Sequence, residues 1–299
     1  MFTNIKDIII EKNYKLKDIS PIKIGGHAKY FIKCYTIKSL KKVLTICLKA
    51  KLNYKIVAGC SNLLFDDNGY NGAIIQFCKD DVKITKNKVF AYAGIDMACL
   101  INYTSTFKLS GLENFIGIPA KFGGAIKNNL GAFNSEIGSM INKVKILSLN
   151  KDKTHFKIKT KKIKSGDFSY RSCNFLKPTD LIISASLTLR KSTKSDINEN
   201  LKLYFQKKSE SQPLSQPSLG SVFKRDYDII PAKIIDELNL KGVHVGGAEI
   251  SKKHAGFIVN TGDATSKDVL ELISLIKCIV QAKLNINLSC EIEYLGLND

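Results

Sequence analysis

Apolar positions along the chain fall into two rhythms. Leu40, Val43, Leu44, Cys47 and Leu48 recur at helical spacing, which predicts a helix capped by Ser39. Short apolar runs at 55–59, 72–77 and 88–94 predict strands, and a helix is expected from Asp96 to Phe107. Segments 143–149 and 154–160 read as two strands around the turn 150–153, and 181–190 as a largely apolar strand. Residues 191–200 are polar without an apolar period, and mark a domain boundary between 20–192 and 193–299. A helix should follow, then a loop rich in Ser, Pro and Gly over 209–221.

Farther on, Val269, Leu270, Leu272, Ile273, Ile276, Ile279 and Val280 predict the buried stripe of a helix from Ser266 to Lys283. Thr265 and Asp268 make a capping box at its start. Residues 288–295 alternate strictly and read as one strand. Leu288, Cys290, Ile292 and Tyr294 fall on one face; Ser289, Glu291, Glu293 and Leu295 fall on the other.

Composition narrows the class. The 299 residues are 44% hydrophobic and 24% charged, the balance of a globular protein with a sizeable core. No apolar run approaches the ~20 residues of a membrane span, so no membrane insertion is expected. Eight cysteines without a CxxC pair, and four scattered histidines, argue against a disulfide framework and a metal site. A cytoplasmic home is the natural expectation. The net charge of +19 raises nucleic acid as a partner, yet arginine occurs only at 171, 190 and 225. Base reading favours Arg forks or interleaved aromatics. The lysine-dense stretch 151–164 therefore reads as the wet face of a hairpin, and nucleic acid is not the expected partner.

Candidate chemistry sits in two glycine-containing segments. VAGCSNLLFDDNG (57–69) places Gly59, Cys60, Ser61 and Asn62 directly after a strand, and IGIPAKFGGAIKNNLGA (116–132) surrounds Pro119 with four glycines. Such turns can present consecutive main-chain N–H groups to an anion, or can be purely structural. Neither has the spacing of a P-loop or of a Rossmann turn.

From PIKIGGHAKYF (21–31) through GCSNLL and the GIPAKFGGA run, the chain resembles the FAD-binding domain of the vanillyl-alcohol-oxidase and p-cresol-methylhydroxylase superfamily. FSYRSC (168–173), QPLSQPSLGSVFK (212–224), the stretch 240–273 and EIEYLG (291–296) are similar to one family within it, the UDP-N-acetylenolpyruvoylglucosamine reductases, in their shorter subtype. The resemblance spans roughly 20–296 in order. It implies an α+β fold, with a two-part FAD-binding domain over 20–192 and a C-terminal α+β substrate-binding domain over 193–299.

The same resemblance implies NADPH-dependent reduction, through FAD, of UDP-N-acetylglucosamine enolpyruvate to UDP-N-acetylmuramate, in peptidoglycan precursor synthesis. Rival readings are another FAD-dependent oxidoreductase of the superfamily acting on an alcohol or lactone, and a basic nucleic-acid-binding protein without catalysis. The resemblance points to Arg171 for the enolate, Ser221 as proton donor and Glu291, selected over Glu293 by the family's register. Gly59, Cys60, Ser61, Asn62, Leu63, Gly117, Ile118, Pro119, Gly123 and Gly124 would contact FAD, and Tyr170 and Lys224 the substrate. His254 lies in a matching motif and is expected to pack. The chain departs from the family pattern at Ala120-Lys121, Asn128 and Leu130, Cys173 and Arg225-Asp226.

Overall fold

The computed structural model describes all residues except Thr3, Lys151, Lys153, Thr154, Tyr227, Asp228 and 297–299. Half of the expected turn 150–153 (Lys151 and Lys153) and the first residue of the strand expected at 154 lie outside the described residues. Two compact units emerge: Met1–Glu11 with Phe31–Gly59 and Ala73–Lys207, and Lys12–Tyr30 with Cys60–Gly72 and Lys208–Asp299.

In the first unit, helix α1 (Ile37–Lys49) buries Leu40, Val43, Leu44 and Cys47. Its cap is Thr36, not Ser39. The Thr36 hydroxyl accepts the Ser39 N–H at 3.1 Å, and Ser39 Oγ accepts the Thr36 N–H at 3.2 Å. This reciprocal box uses both side chains, so the helix starts a turn earlier than its apolar stripe. Strand Tyr54–Val57 pairs in parallel with Ala73–Gln76. An antiparallel sheet runs in the order Phe156–Lys162, Ile141–Leu149, Leu181–Thr188, Lys88–Tyr92, Val82–Thr85. Its edge strand carries exposed Lys157, Lys159 and Lys162, the wet face expected of that stretch. Such charges also discourage edge-to-edge pairing. Helices α2 (Met97–Thr106) and α3 (Phe122–Lys127) lie between strands Lys88–Tyr92 and Ile141–Leu149 in the chain.

Helix α4 (Lys194–Ser211) corrects the expected linker, because 194–200 are already helical. Ile197 is the one apolar residue in 191–200, and its companions on the covered face, Leu201 and Tyr204, lie beyond that window, so no period shows within it.

In the second unit, α5 (Pro231–Glu237) begins with proline at its first position, and α6 (Ser266–Leu284) keeps the expected Thr265–Asp268 box. Val269, Leu272, Ile273, Ile276 and Val280 of α6 are buried with Ile22, Ile24, Leu64, Leu219, Val222 and Phe223 in one hydrophobic cluster. An antiparallel sheet runs Ser218–Ser221, Phe257–Asn260, Ala248–Ile250, His244–Val245. The expected loop 209–221 therefore ends as a strand.

Residues 12–30 and 60–72 belong with the C-terminal part for a packing reason. A Cβ on Gly26 would stand 2.1 Å from the Asp67 carbonyl oxygen, and one on Gly69 (φ +82°) 2.1 Å from that of His27. Strand Leu63–Phe65 pairs in parallel with Glu293–Leu295. The compact units thus differ from a single cut at 192/193.

The expected strand 288–295 is also corrected. Cys290 bridges Phe223, the chain bends at Ile292, and only Glu293–Leu295 forms a strand. Changing partners breaks the alternation: Leu288 and Leu295 are both buried, and Tyr294 is exposed. Among the described residues, no helix is long and apolar enough to cross a membrane.

Candidate active site

The two glycine segments meet within the first unit. A Cβ on Gly59 would lie 3.3 Å from the Lys121 nitrogen, and one on Gly124 3.1 Å from Ala58 Cβ. Glycine at 59 lets main chain approach main chain, and glycine at 124 makes room for the Ala58 methyl. Gly123 serves packing: its N–H donates to the Ala93 carbonyl at 2.9 Å, and a Cβ would stand 2.8 Å from Ala93 Cβ. Gly117 is exposed with φ +76°, next to half-buried Ile118 and exposed Pro119. Cys60 is buried and left-handed at φ 55°, so the 59–62 turn alternates the backbone hand as anion-binding concavities do. Lys121, the departure that could have met a phosphate, instead donates to the Gly94 carbonyl at 3.0 Å and pairs with Asp96 at 3.2 Å.

Arg171 sits in the first unit at the second position of a two-residue turn, with φ 52°. The hairpin around it has only two pairs, Phe168 with Cys173 and Ser169 with Ser172. Its guanidinium Nη1 donates to the Gly131 carbonyl at 3.2 Å and lies over the Tyr170 ring, 5.5 Å from Cζ to the centroid. Tyr170 is 46% exposed, within reach of a ligand. A Cβ on Gly131 would lie 3.3 Å from Nη1, so the guanidinium would have to shift by a few tenths of an ångström to admit one. Burial pushes the Cys173 thiol up to about 12, so this replacement for serine stays neutral beside the arginine.

Asn129, which sequence reasoning noted only as part of a departing segment, is completely buried in the same place. Its Nδ2 donates to Glu136 Oε2 at 2.7 Å and to the Ser169 carbonyl at 2.9 Å, and its Oδ1 accepts the Gly138 N–H at 3.0 Å. The only sequence signal was a polar pair, Asn128-Asn129, inside an otherwise apolar and glycine-rich run.

Ser221 and Glu291 come together in the second unit through the main chain. Ser221 ends its strand opposite Phe257. The next residue, Val222, donates to the Gly256 carbonyl at 2.9 Å and accepts the Glu291 N–H at 2.7 Å. Lys224 donates its N–H to the Ser289 carbonyl at 2.9 Å, and its side chain is exposed. Asn62 closes the other side: its Nδ2 donates to the Glu291 carbonyl at 2.9 Å, and its own carbonyl accepts the Glu293 N–H at 2.9 Å. Leu63 follows as the first buried residue of the parallel strand. Asn62 is thus engaged with the Glu291 backbone, and Ser61 remains half-buried beside it.

His254 packs as expected, edge-to-face on Phe257 at 4.8 Å, and its Nδ1 accepts the Gly256 N–H at 3.1 Å. Burial lowers its pKa, so the ring is neutral near pH 7.

Residues 212–295 match the sequence family described as UDP-N-acetylenolpyruvoylglucosamine reductase, C-terminal domain. Over 295 residues the chain is 35% identical to the UDP-N-acetylenolpyruvoylglucosamine reductase of Clostridium novyi, covering 96% of this chain and 92% of that protein. The enzyme of the same name from Caldicellulosiruptor bescii is 36% identical over 301 residues, covering 99% and 94%. The fold is similar to the crystal structure of UDP-N-acetylenolpyruvylglucosamine reductase from Thermus caldophilus, with a TM-score of 0.80, 29% identity and coverage of 96% and 99%.

Proposed function

Because the chain belongs to the UDP-N-acetylenolpyruvoylglucosamine reductase family, we propose that it carries out the family's reduction with FAD as cofactor and NADPH as reductant, using Arg171, Ser221 and Glu291. The reaction reduces the enolpyruvyl group of UDP-N-acetylglucosamine enolpyruvate in peptidoglycan precursor synthesis. The cytoplasm is its proposed location, and an oxidase acting on an alcohol or lactone is not favoured.

The backbone-lined meeting of Gly59 with Lys121, and the left-handed turn at Cys60, fit the pyrophosphate of a dinucleotide. Gly59, Cys60, Ser61, Gly117, Ile118, Pro119 and Gly124 would hold it, with Gly123, Asn62 and Leu63 shaping the turns. When bound there, FAD would supply hydride-transfer chemistry between NADPH and the terminal vinyl carbon of the substrate.

Hydride addition there moves the vinyl electron pair toward the carboxylate as an enolate. The Arg171 guanidinium, permanently charged and planar, holds that negative charge by paired hydrogen bonds. Ser221 gives its hydroxyl proton to the adjacent carbon, completing the lactyl ether. A hydroxyl is a poor acid, so the donation depends on the forming carbanion and on groups around it. Glu291 is the nearest acidic side chain along the main-chain ladder and would hold or return that proton. Tyr170 and Lys224 would contact the rest of the substrate, Lys224 with its anionic part.

The observation that carries the site is the Glu291 N–H bond to the Val222 carbonyl, one residue from Ser221. The test is spectroscopic. The purified protein should be yellow with one FAD per chain, bleach on anaerobic NADPH, and regain colour on adding the enolpyruvyl substrate. A protein that takes up no FAD, or whose reduced form ignores the substrate, would refute the proposal.

A further inference from the structure

We infer that Asn129, partnered by Glu136, is a positioning residue for Arg171 that fixes the Tyr170–Arg171 turn before substrate arrives. The inference rests on Arg171 acting on the substrate as proposed above.

A two-pair hairpin cannot hold its own turn in water. A non-glycine residue at positive φ is strained and persists only where its surroundings fix it. Arg171, at φ 52°, needs such surroundings. They form a closed circuit. Asn129 donates to the carbonyl of Ser169, two residues before Arg171, and Arg171 donates to the carbonyl of Gly131, two residues after Asn129. Gly131 is itself paired with Glu136 across the small hairpin 131–136, and Glu136 takes the other Asn129 N–H.

The amide has no freedom to turn over. Both Nδ2 hydrogens point at acceptors, and Oδ1 takes the Gly138 N–H. A buried amide is costly unless it is so bonded. Phe168 closes the far side: a Cβ on Gly138 would stand 2.6 Å from Phe168 Cγ and 2.7 Å from Asn129 Oδ1. The turn that carries the guanidinium is therefore held by Asn129, Glu136 and the Gly131 carbonyl, none of which is assigned to the substrate.

The isosteric change Asn129→Asp tests this, because it keeps the volume and removes both donors. The carboxylate then faces Glu136 and the Ser169 carbonyl. With saturating FAD, reduction by NADPH should proceed as in the parent. Reoxidation by the enolpyruvyl substrate should slow roughly 10- to 100-fold, the scale of a misplaced reacting group, with kcat falling and KM little changed. The double change Asn129→Asp with Glu136→Gln should recover part of that loss, since an amide at position 136 restores the 129–136 bond with reversed polarity while the Ser169 carbonyl still lacks its donor.

Should Asn129→Asp fail to fold, Glu136→Ala is measured in the same way and should slow the substrate step alone. Variants that lower only the melting temperature, slow both steps equally, or gain nothing from the double change would overturn the inference. If Arg171→Ala itself leaves the substrate step intact, the reading of Arg171 falls first, and this inference with it.

Discussion

Around Arg171 the restraining bonds come from side chains, whereas around Ser221 and Glu291 they come mostly from the main chain, with the Asn62 amide as an addition. Asn129 makes three hydrogen bonds at the Arg171 turn, and every one involves its amide. Val222 holds Glu291 by a backbone bond, and the ladder continues through Phe223–Cys290 and Lys224–Ser289. The difference follows from local structure. A two-pair hairpin offers too few ladder bonds to aim a long side chain, while strand Ser218–Ser221 belongs to a four-stranded sheet over a hydrophobic cluster. One region is therefore sensitive to single side chains that never touch substrate, and the other should tolerate them.

The largest effect that can test this comparison is on the reacting groups themselves. Ser221→Ala should leave bleaching by NADPH unchanged and slow reoxidation by substrate by roughly 1,000-fold, within the range of a lost general acid. Arg171→Ala and Glu291→Gln should each cost at least ~100-fold while keeping flavin and fold. Glu293→Gln is the control, and a larger loss there would mean that the wrong glutamate was chosen. These are rapid-mixing measurements under anaerobic conditions.

Next come two glycines with opposite surroundings. Gly138→Ala forces a methyl into Phe168 and should destabilise the first unit by about 1–3 kcal/mol. Gly220→Ala meets nothing within 4 Å, and its φ of +78° costs about 1 kcal/mol through conformation alone. Thermal unfolding of the two variants should rank them in that order. The reverse ranking would place the tighter packing on the wrong side of the comparison.

Lys208 probes whether the second unit also depends on a buried polar side chain. It is 3% exposed, and burial lowers its pKa to about 8. The unfolded chain keeps the proton up to its ordinary pKa near 10.5, so the folded state carries a penalty below pH 8. That penalty should fade as pH rises from about 8 to 10.5, and stability should rise across the window. Lys208→Met should therefore stabilise the protein at pH 7 by up to ~3 kcal/mol and flatten the rise. A destabilised variant would show that this unit, too, needs a buried side chain.

The smallest expected effect is at Asn62. Asn62→Ala removes one amide bond to the Glu291 carbonyl, worth about 1 kcal/mol. With saturating FAD the substrate step should slow less than ~10-fold, because the Val222 bond still holds Glu291. A loss equal to that of Asn129→Asp would erase the contrast between the two regions.

The amphipathic helices were legible in the sequence, and so was the family. α6 kept its stripe and its capping box because period and cap are local properties, read within a few turns. Arg171, Ser221 and Glu291 could be singled out from motifs, since residue type and order along the chain carry that resemblance. Other features were not written locally. Residues 194–200 are helical without an apolar period, and 288–295 lose their alternation because the chain trades Phe223 for strand Leu63–Phe65 as partner.

The role of Asn62 and Asn129 was hidden for the same reason. An asparagine beside glycines reads as a turn residue, and only folding decides whether its amide meets solvent, phosphate or a buried carbonyl. The sequence by itself determined which side chains can do chemistry and which faces must be buried. Tertiary structure alone decided what holds those side chains in place, because the bonds that tie their turns down join residues distant in the chain: 129 with 169, 131 with 171, 62 with 291 and 222 with 291.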